Sequence, residues 1–94
     1  MPLIATLLEV EPLTAEVDSI AATVTVEDRN GDAVEAGDYV VANEVLTIKN
    51  DGAAAVTLTL TNAVAADGTT SVTVPAHSNV QVYVSANGTD VKIA

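Results

Sequence analysis

The sequence predicts an all-β fold: a small antiparallel β-sandwich of six or seven short strands. Three observations carry that expectation. Valine and threonine are abundant, and both suit a pleated, half-buried surface. Apolar and polar residues alternate with a period of two, most clearly over residues 46–60, which puts aliphatic side chains on one face of a strand. Turn dipeptides recur roughly every eight to twelve residues, the rhythm of a sandwich or small barrel.

Residues 1–13 have no clean period. Leu3, Ile4, Leu7 and Leu8 would share a helix face, but Pro2 and Pro12 bracket the segment and would keep a helix short. An extended arm that docks on a partner, a first strand and a frayed terminus are the alternatives. The domain organisation expected is an arm or first strand over 1–13 and one sandwich domain over 14–94.

Within that domain, Ala22, Val24 and Val26 alternate with Thr23, Thr25 and Glu27 and read as a strand in the unit 14–27. Asn30-Gly31 is a hairpin turn signal, and residues 33–35 begin the return strand. Gly37-Asp38 marks another turn, and residues 39–42 start the next segment. The central hairpin is expected over 46–60. Leu46 and Ile48 alternate with Thr47 and Lys49, and Val56, Leu58 and Leu60 alternate with threonines. Between them, Asn50-Asp51-Gly52 offers the positive φ of a tight turn.

Residues 63–70 read as a small-residue loop carrying Asp67-Gly68. Residues 71–74 are a strand that Pro75 ends, because proline cannot donate to a ladder. Residues 76–79 make a turn. Val80, Val82 and Val84 then alternate with Gln81, Tyr83 and Ser85, Asn87-Gly88 signals a hairpin, and Val91 and Ile93 close the chain.

Composition bounds the function. The 94 residues make one domain. Hydrophobic content is 49%, yet there is no Phe or Trp, and Tyr39 and Tyr83 are the only aromatics. Aromatics bury about 150–250 Å² each; here small branched side chains must fill the core. Help from self-association, or from docking on a larger body, is therefore expected. With no cysteine there is no disulfide framework. Thirteen Asp or Glu stand against Lys49, Lys92 and Arg29, a net charge of −10. That balance opposes a nucleic-acid partner and an anionic membrane surface. High-salt adaptation is an alternative origin for such a composition. No apolar run approaches the ~20 residues of a membrane span. The apolar start lacks a basic n-region and meets Glu9 and Glu11 at once, so synthesis and retention in the cytoplasm until assembly are expected.

No catalytic, cofactor-binding or metal-binding residue is expected. His77, the lone histidine, follows Pro75-Ala76 in a turn and reads as exposed and inert. No serine lies in a G-x-S-x-G elbow and no base–acid pair accompanies one, so the chain is not read as an enzyme. Asp28-x-Asn30-x-Asp32 opens like a calcium loop, but Ala33 stands where that loop has glycine and Tyr39 where it ends in a carboxylate. An acidic hairpin turn is the simpler reading, with a weak surface cation site as the alternative. Asn87-Gly88-Thr89 matches a glycosylation acceptor and is more simply a turn. Two tyrosines make no stacking platform.

From about Gly37 onward the chain resembles small head-decoration (capsid cement) and minor structural proteins of tailed bacteriophages. The residues that carry the resemblance are Leu46-Thr-Ile-Lys-Asn-Asp-Gly52, Val56-Thr-Leu-Thr-Leu60, Asp67-Gly68 and Val72-Thr-Val-Pro-Ala76, followed by the strand at Val80 to Val84. Such proteins often have glycine after Pro-Ala, where this chain has His77. They often continue into a Gly-Pro-aromatic segment, where it has Tyr83-Val84-Ser85. The resemblance implies a virion structural protein on the outer capsid surface, bound to the major capsid protein, homo-oligomeric with trimers favoured, and strengthening contacts between capsomers. Leu3, Ile4, Leu7 and Leu8 would be the capsid contact. A head–tail connector or tail subunit, and an Ig-like binding module of a fibre, are the competing expectations.

Overall fold

The computed structural model describes residues 14–85 and 90–94. Among these, ten strands form and no helix. β1 (Thr14–Ile20), β4 (Tyr39–Val41), β6 (Val56–Thr61), β8 (Ser71–Val74) and β10 (Asp90–Ile93) make sheet I, in the order β4-β1-β10-β6-β8. β2 (Thr25–Glu27), β3 (Ala33–Val34), β5 (Val45–Asn50), β7 (Ala63–Ala65) and β9 (Ser78–Val84) make sheet II, in the order β3-β2-β5-β9-β7. The two sheets form the expected all-β sandwich. The count exceeds seven because β2, β3, β4 and β7 are only two or three residues long. Pairing is antiparallel except between β1 and β10, which run parallel with a bulge at Asp18.

The core is aliphatic and drawn from both sheets. Val17, Val74, Val91 and Ile93 of sheet I, and Leu46, Ile48 and Val82 of sheet II, are fully buried. The period-two pattern places them: along β5, Leu46, Ile48 and Asn50 point inward and Thr47 and Lys49 outward. Along β10, Val91 and Ile93 point inward and Lys92 outward.

Connectivity departs from the sequence reading. Consecutive strands lie in different sheets at every step but one, the β2–β3 hairpin. That hairpin is where Asn30-Gly31 placed it, with Gly31 at φ 83°. The central hairpin over 46–60 does not form. β5 pairs with β2 and β9, whereas β6 pairs with β10 and β8. Residues 51–55 are an arch between the sheets, and Gly52 is not among the residues with positive φ. The reason is Asn50. Its side chain is buried, its Nδ2 donates to the carbonyls of Ala54 (2.8 Å), Val74 (3.1 Å) and Pro75 (3.2 Å), and its Oδ1 accepts from Gly52 N–H at 2.9 Å. This amide ties the β5–β6 arch to the β8–β9 arch, where His77 N–H also donates to Gly52 O at 3.2 Å.

Two further elements differ. Residues 14–20 are a strand in their own right, and residues 22–24 belong to a turn with Val24 N–H bonded to Ala21 O. Residues 63–65, read as loop, pair with β9 as β7. The remaining strands lie within a residue or two of their expected places. The segment 1–13 with Leu3, Ile4, Leu7 and Leu8, and the Asn87-Gly88 turn with its Asn87-Gly88-Thr89 acceptor, fall outside the described residues.

Candidate assembly surface

The outer face of sheet I is chemically divided. Its β1 and β10 half carries Glu16, Asp18, Asp90 and Lys92, and Glu16 and Asp90 are register neighbours. Its β6 and β8 half presents Thr57, Thr59, Thr61, Ser71 and Thr73, with no charge. The division follows from the sequence, because β6 and β8 alternate aliphatics with hydroxyl residues only. Thr57 and Thr73 face each other across the ladder, their Oγ1 atoms 3.1 Å apart. On a chain of net −10, this is a patch whose own strands carry no carboxylate.

β8 is also a sheet edge. Leu60 N–H donates to Thr70 O at 2.7 Å, so alternate residues, Val72 and Val74, turn their backbone groups towards β6. Ser71 and Thr73 turn theirs away, and no strand lies beyond them among the described residues. The Ser71 carbonyl accepts from the Thr69 hydroxyl at 3.1 Å. Among the described residues, the Ser71 N–H and both backbone groups of Thr73 have no such cap.

The other edges are shorter and partly capped. On β4, Val41 N–H donates to the Glu44 carboxylate at 3.1 Å and Val41 O accepts from Glu44 N–H at 3.0 Å. Past β3, Glu35 N–H donates to Asp38 Oδ2 at 2.8 Å. On β7, Ala65 N–H donates to Thr69 O and Ala65 O accepts from Gly68 N–H. Short strands and capped outward groups are how sheets avoid unwanted pairing. β8, at four residues, is the longest edge strand and the most open.

Beside the β8 edge the two sheets part. An open cleft of about 650 Å³ runs between β8 and β9, with Val72, Val80 and Ala65 at its floor and Ser71, Thr73, Asn79 and Gln81 around it. Val72 and Val80 are only partly buried. Asp67 sits at its end; the Thr69 hydroxyl (2.7 Å) and Thr69 N–H (3.1 Å) donate to its carboxylate and hold it below the usual aspartate range. A smaller groove of about 310 Å³ lies where β1 leaves for β2, lined by Ile20, Ala21, Val24 and Val34.

The residues weighed from the sequence fall as follows. His77 is exposed in the β8–β9 arch at φ 54°. Asp28 Oδ1 accepts from the N–H groups of Asn30 (2.8 Å) and Asp32 (3.0 Å), which makes it the organiser of its own turn. Among the described residues no group of three or more His, Cys, Asp or Glu could hold a metal ion. Tyr39 is 68% exposed, its hydroxyl 3.3 Å from Glu16 Oε1. Sequence reasoning did not find the β8 edge, which follows from sheet order; the Ser/Thr alternation on β6 and β8 signals only the uncharged face. No family model, curated protein or solved structure matches the chain.

Proposed function

We propose that this chain is a virion structural protein, a decoration or cement protein that docks on the outer surface of a phage head and reinforces contacts between capsomers. The observation that carries the reading is the uncharged hydroxyl face of β6 and β8 on a chain of net charge −10. A neutral protein surface on a chain of high net charge suits docking on another protein. The acidic remainder suits exposure to solvent and not contact with packaged DNA.

Two further features support the reading. The position that phage decoration proteins often fill with glycine after Pro-Ala is His77 here, and it has the left-handed φ of 54° that glycine tolerates best. The core has no Phe or Trp, so a domain of this size gains from many weak contacts made at once on a repeating shell. The major capsid protein is the partner, and the protein acts as a homo-oligomer, trimers being favoured. Leu3, Ile4, Leu7 and Leu8 are the arm residues proposed to contact the capsid shell. The role is structural, with no catalytic step.

Electron cryo-microscopy of the protein with co-expressed shell protein tests this. Density for a small β domain at many symmetry-related outer sites is expected. Density confined to one vertex or to the tail would replace decoration with a connector or tail role. A second test removes residues 2–12: occupancy on the shell should vanish while the sandwich stays folded.

A further inference from the structure

The geometry points to strand exchange between copies: the apolar segment 3–8 of one copy adds as a strand to the free β8 edge of a second copy. The inference concerns the purified chain and stands apart from the virion reading.

Three features of the acceptor fit an incoming strand. Ser71 N–H, Thr73 N–H and Thr73 C=O face outward with no partner strand among the described residues. An extended chain beside them would complete a ladder, as in other strand-addition complexes. The adjoining cleft is floored by Val72, Val80 and Ala65, so it offers apolar cover to alternate side chains of that chain. The flanking face of Thr57, Thr59, Thr61, Ser71 and Thr73 carries no charge that would repel a second acidic copy.

The donor fits the acceptor. Leu3-Ile-Ala-Thr-Leu-Leu8 has no charge and no proline. In an extended chain Leu3, Ala5 and Leu7 share one face, an apolar row for the cleft. The six residues span about 20 Å, longer than the edge they cover. Glu9 and Glu11 follow directly and lie beyond the paired stretch. The smaller groove near Ile20 is a weaker acceptor. The β3 edge beside it is two residues long, and Asp38 already caps Glu35 N–H.

Distance favours a second copy as the donor. β1 is separated from the β8 edge by β10 and β6, so a new strand beyond β8 lies about 19 Å from β1 at ~4.8 Å per spacing. The link from Leu8 to Thr14 spans at most ~22 Å when taut. It would have to cross the sheet in a straight line and then turn to run along β8. Between copies no such limit applies. The contact joins two different surfaces, so repeating it builds a closed ring when the rotation allows closure.

The test uses the full chain in solution. Sedimentation should give a small multiple of the 9.5 kDa chain mass, with the Thr73 amide protected from hydrogen exchange. Thr73→Pro blocks the edge without removing a bond to β6, because the Thr73 N–H faces outward. It should yield a folded monomer. The double variant Leu3→Asp, Leu7→Asp alters only the donor and should do the same, with Thr73 exchange at least tenfold faster. Should Thr73→Pro fail to fold, the donor variant decides alone. A full chain that stays monomeric at high concentration, or an oligomer that survives the donor variant, would overturn the proposal. So would protection of Thr73 in a monomer, which would mean that the segment folds back on its own domain.

Discussion

At the scale of single residues, Asn50 has the largest structural role for its size. It is the one buried polar side chain among the described core residues, and its amide reinforces the link between two arches that the backbone joins through His77 N–H and Gly52 O. Asn50→Ala removes these hydrogen bonds at a buried position and should cost about 1–3 kcal/mol, roughly 4–8 °C in Tm for each kcal/mol in a domain of this size. Asn50→Asp keeps the acceptor for Gly52 N–H but sets a carboxylate against the carbonyls of Ala54, Val74 and Pro75. It should cost more near neutral pH than Asn50→Ala, and the loss should shrink in acid as the carboxyl protonates. Thermal melts at pH 7 and pH 4 measure both. His77 shows the opposite case. Its φ of 54° is unfavourable for a residue with a Cβ, and the ring is exposed. His77→Gly should raise stability by up to about 1 kcal/mol, the loss of strain outweighing the greater entropy of the unfolded glycine. Asp67 adds a small pH dependence. The Thr69 hydrogen bonds lower its folded pKa below that of the unfolded chain. Its contribution is therefore present above the ordinary aspartate range and lost as pH falls through the lower folded value. Asp67→Asn should remove that component of an acid titration followed by NMR.

At the scale of elements, β10 closes sheet I. It sits between β1 and β6, bonds to both, and buries Val91 and Ile93 completely. Deleting residues 90–94 should therefore unfold the whole domain, seen as collapse of a dispersed amide spectrum, whereas deleting residues 2–12 should leave that spectrum dispersed. The contrast also marks what could be read without a structure. A period of two identifies the buried face of a strand, and it did so for Leu46 and Ile48, for Leu58 and Leu60, and for Val91 and Ile93. It does not identify the sheet. Aliphatics that face the core from one sheet and aliphatics that face it from the opposite sheet give the same alternation, so a hairpin and an arch look alike over 46–60. The information that separates them is the hydrogen bonding of the Asn50 amide, which is long-range. Asn30-Gly31 was legible because its turn is closed locally, by Gly31 at φ 83° and by the Asp28 carboxylate. β1 was missed although Ala15 and Val17 alternate with Glu16 and Asp18. Its partners, β4 and β10, lie far along the chain. The free edge of β8 was hidden for the same reason: edge status is a property of the sheet order and not of the strand.

At the scale of the molecule, charge is the dominant unbalanced force. Lys49 pairs with Glu27 at 3.1 Å and Lys92 with Asp18 at 3.5 Å, both partly exposed, and such pairs are worth at most about 1 kcal/mol. Against them stand a net charge of −10 and register neighbours of like sign, Glu16 and Asp90. Salt acts on both, but it weakens many repulsions and, among the described residues, two close ion pairs. The Debye length falls from about 30 Å at 0.01 M to about 3 Å at 1 M. Tm should therefore rise by several degrees between 0.01 M and 0.5 M NaCl. Asp90→Asn should raise Tm at low salt and flatten the slope, because it removes the repulsion with Glu16 that salt would otherwise screen. A falling Tm would instead mean that the two ion pairs outweigh the net charge. The same screening governs association. Two copies that each carry −10 repel at distance, and the uncharged β6 and β8 face is a surface along which they can meet without added charge repulsion. Added salt should thus strengthen the oligomer of the full chain while leaving the Leu3→Asp, Leu7→Asp variant monomeric. The variant separates the two effects, since its sandwich keeps the same residues and should show the same rise of Tm with salt.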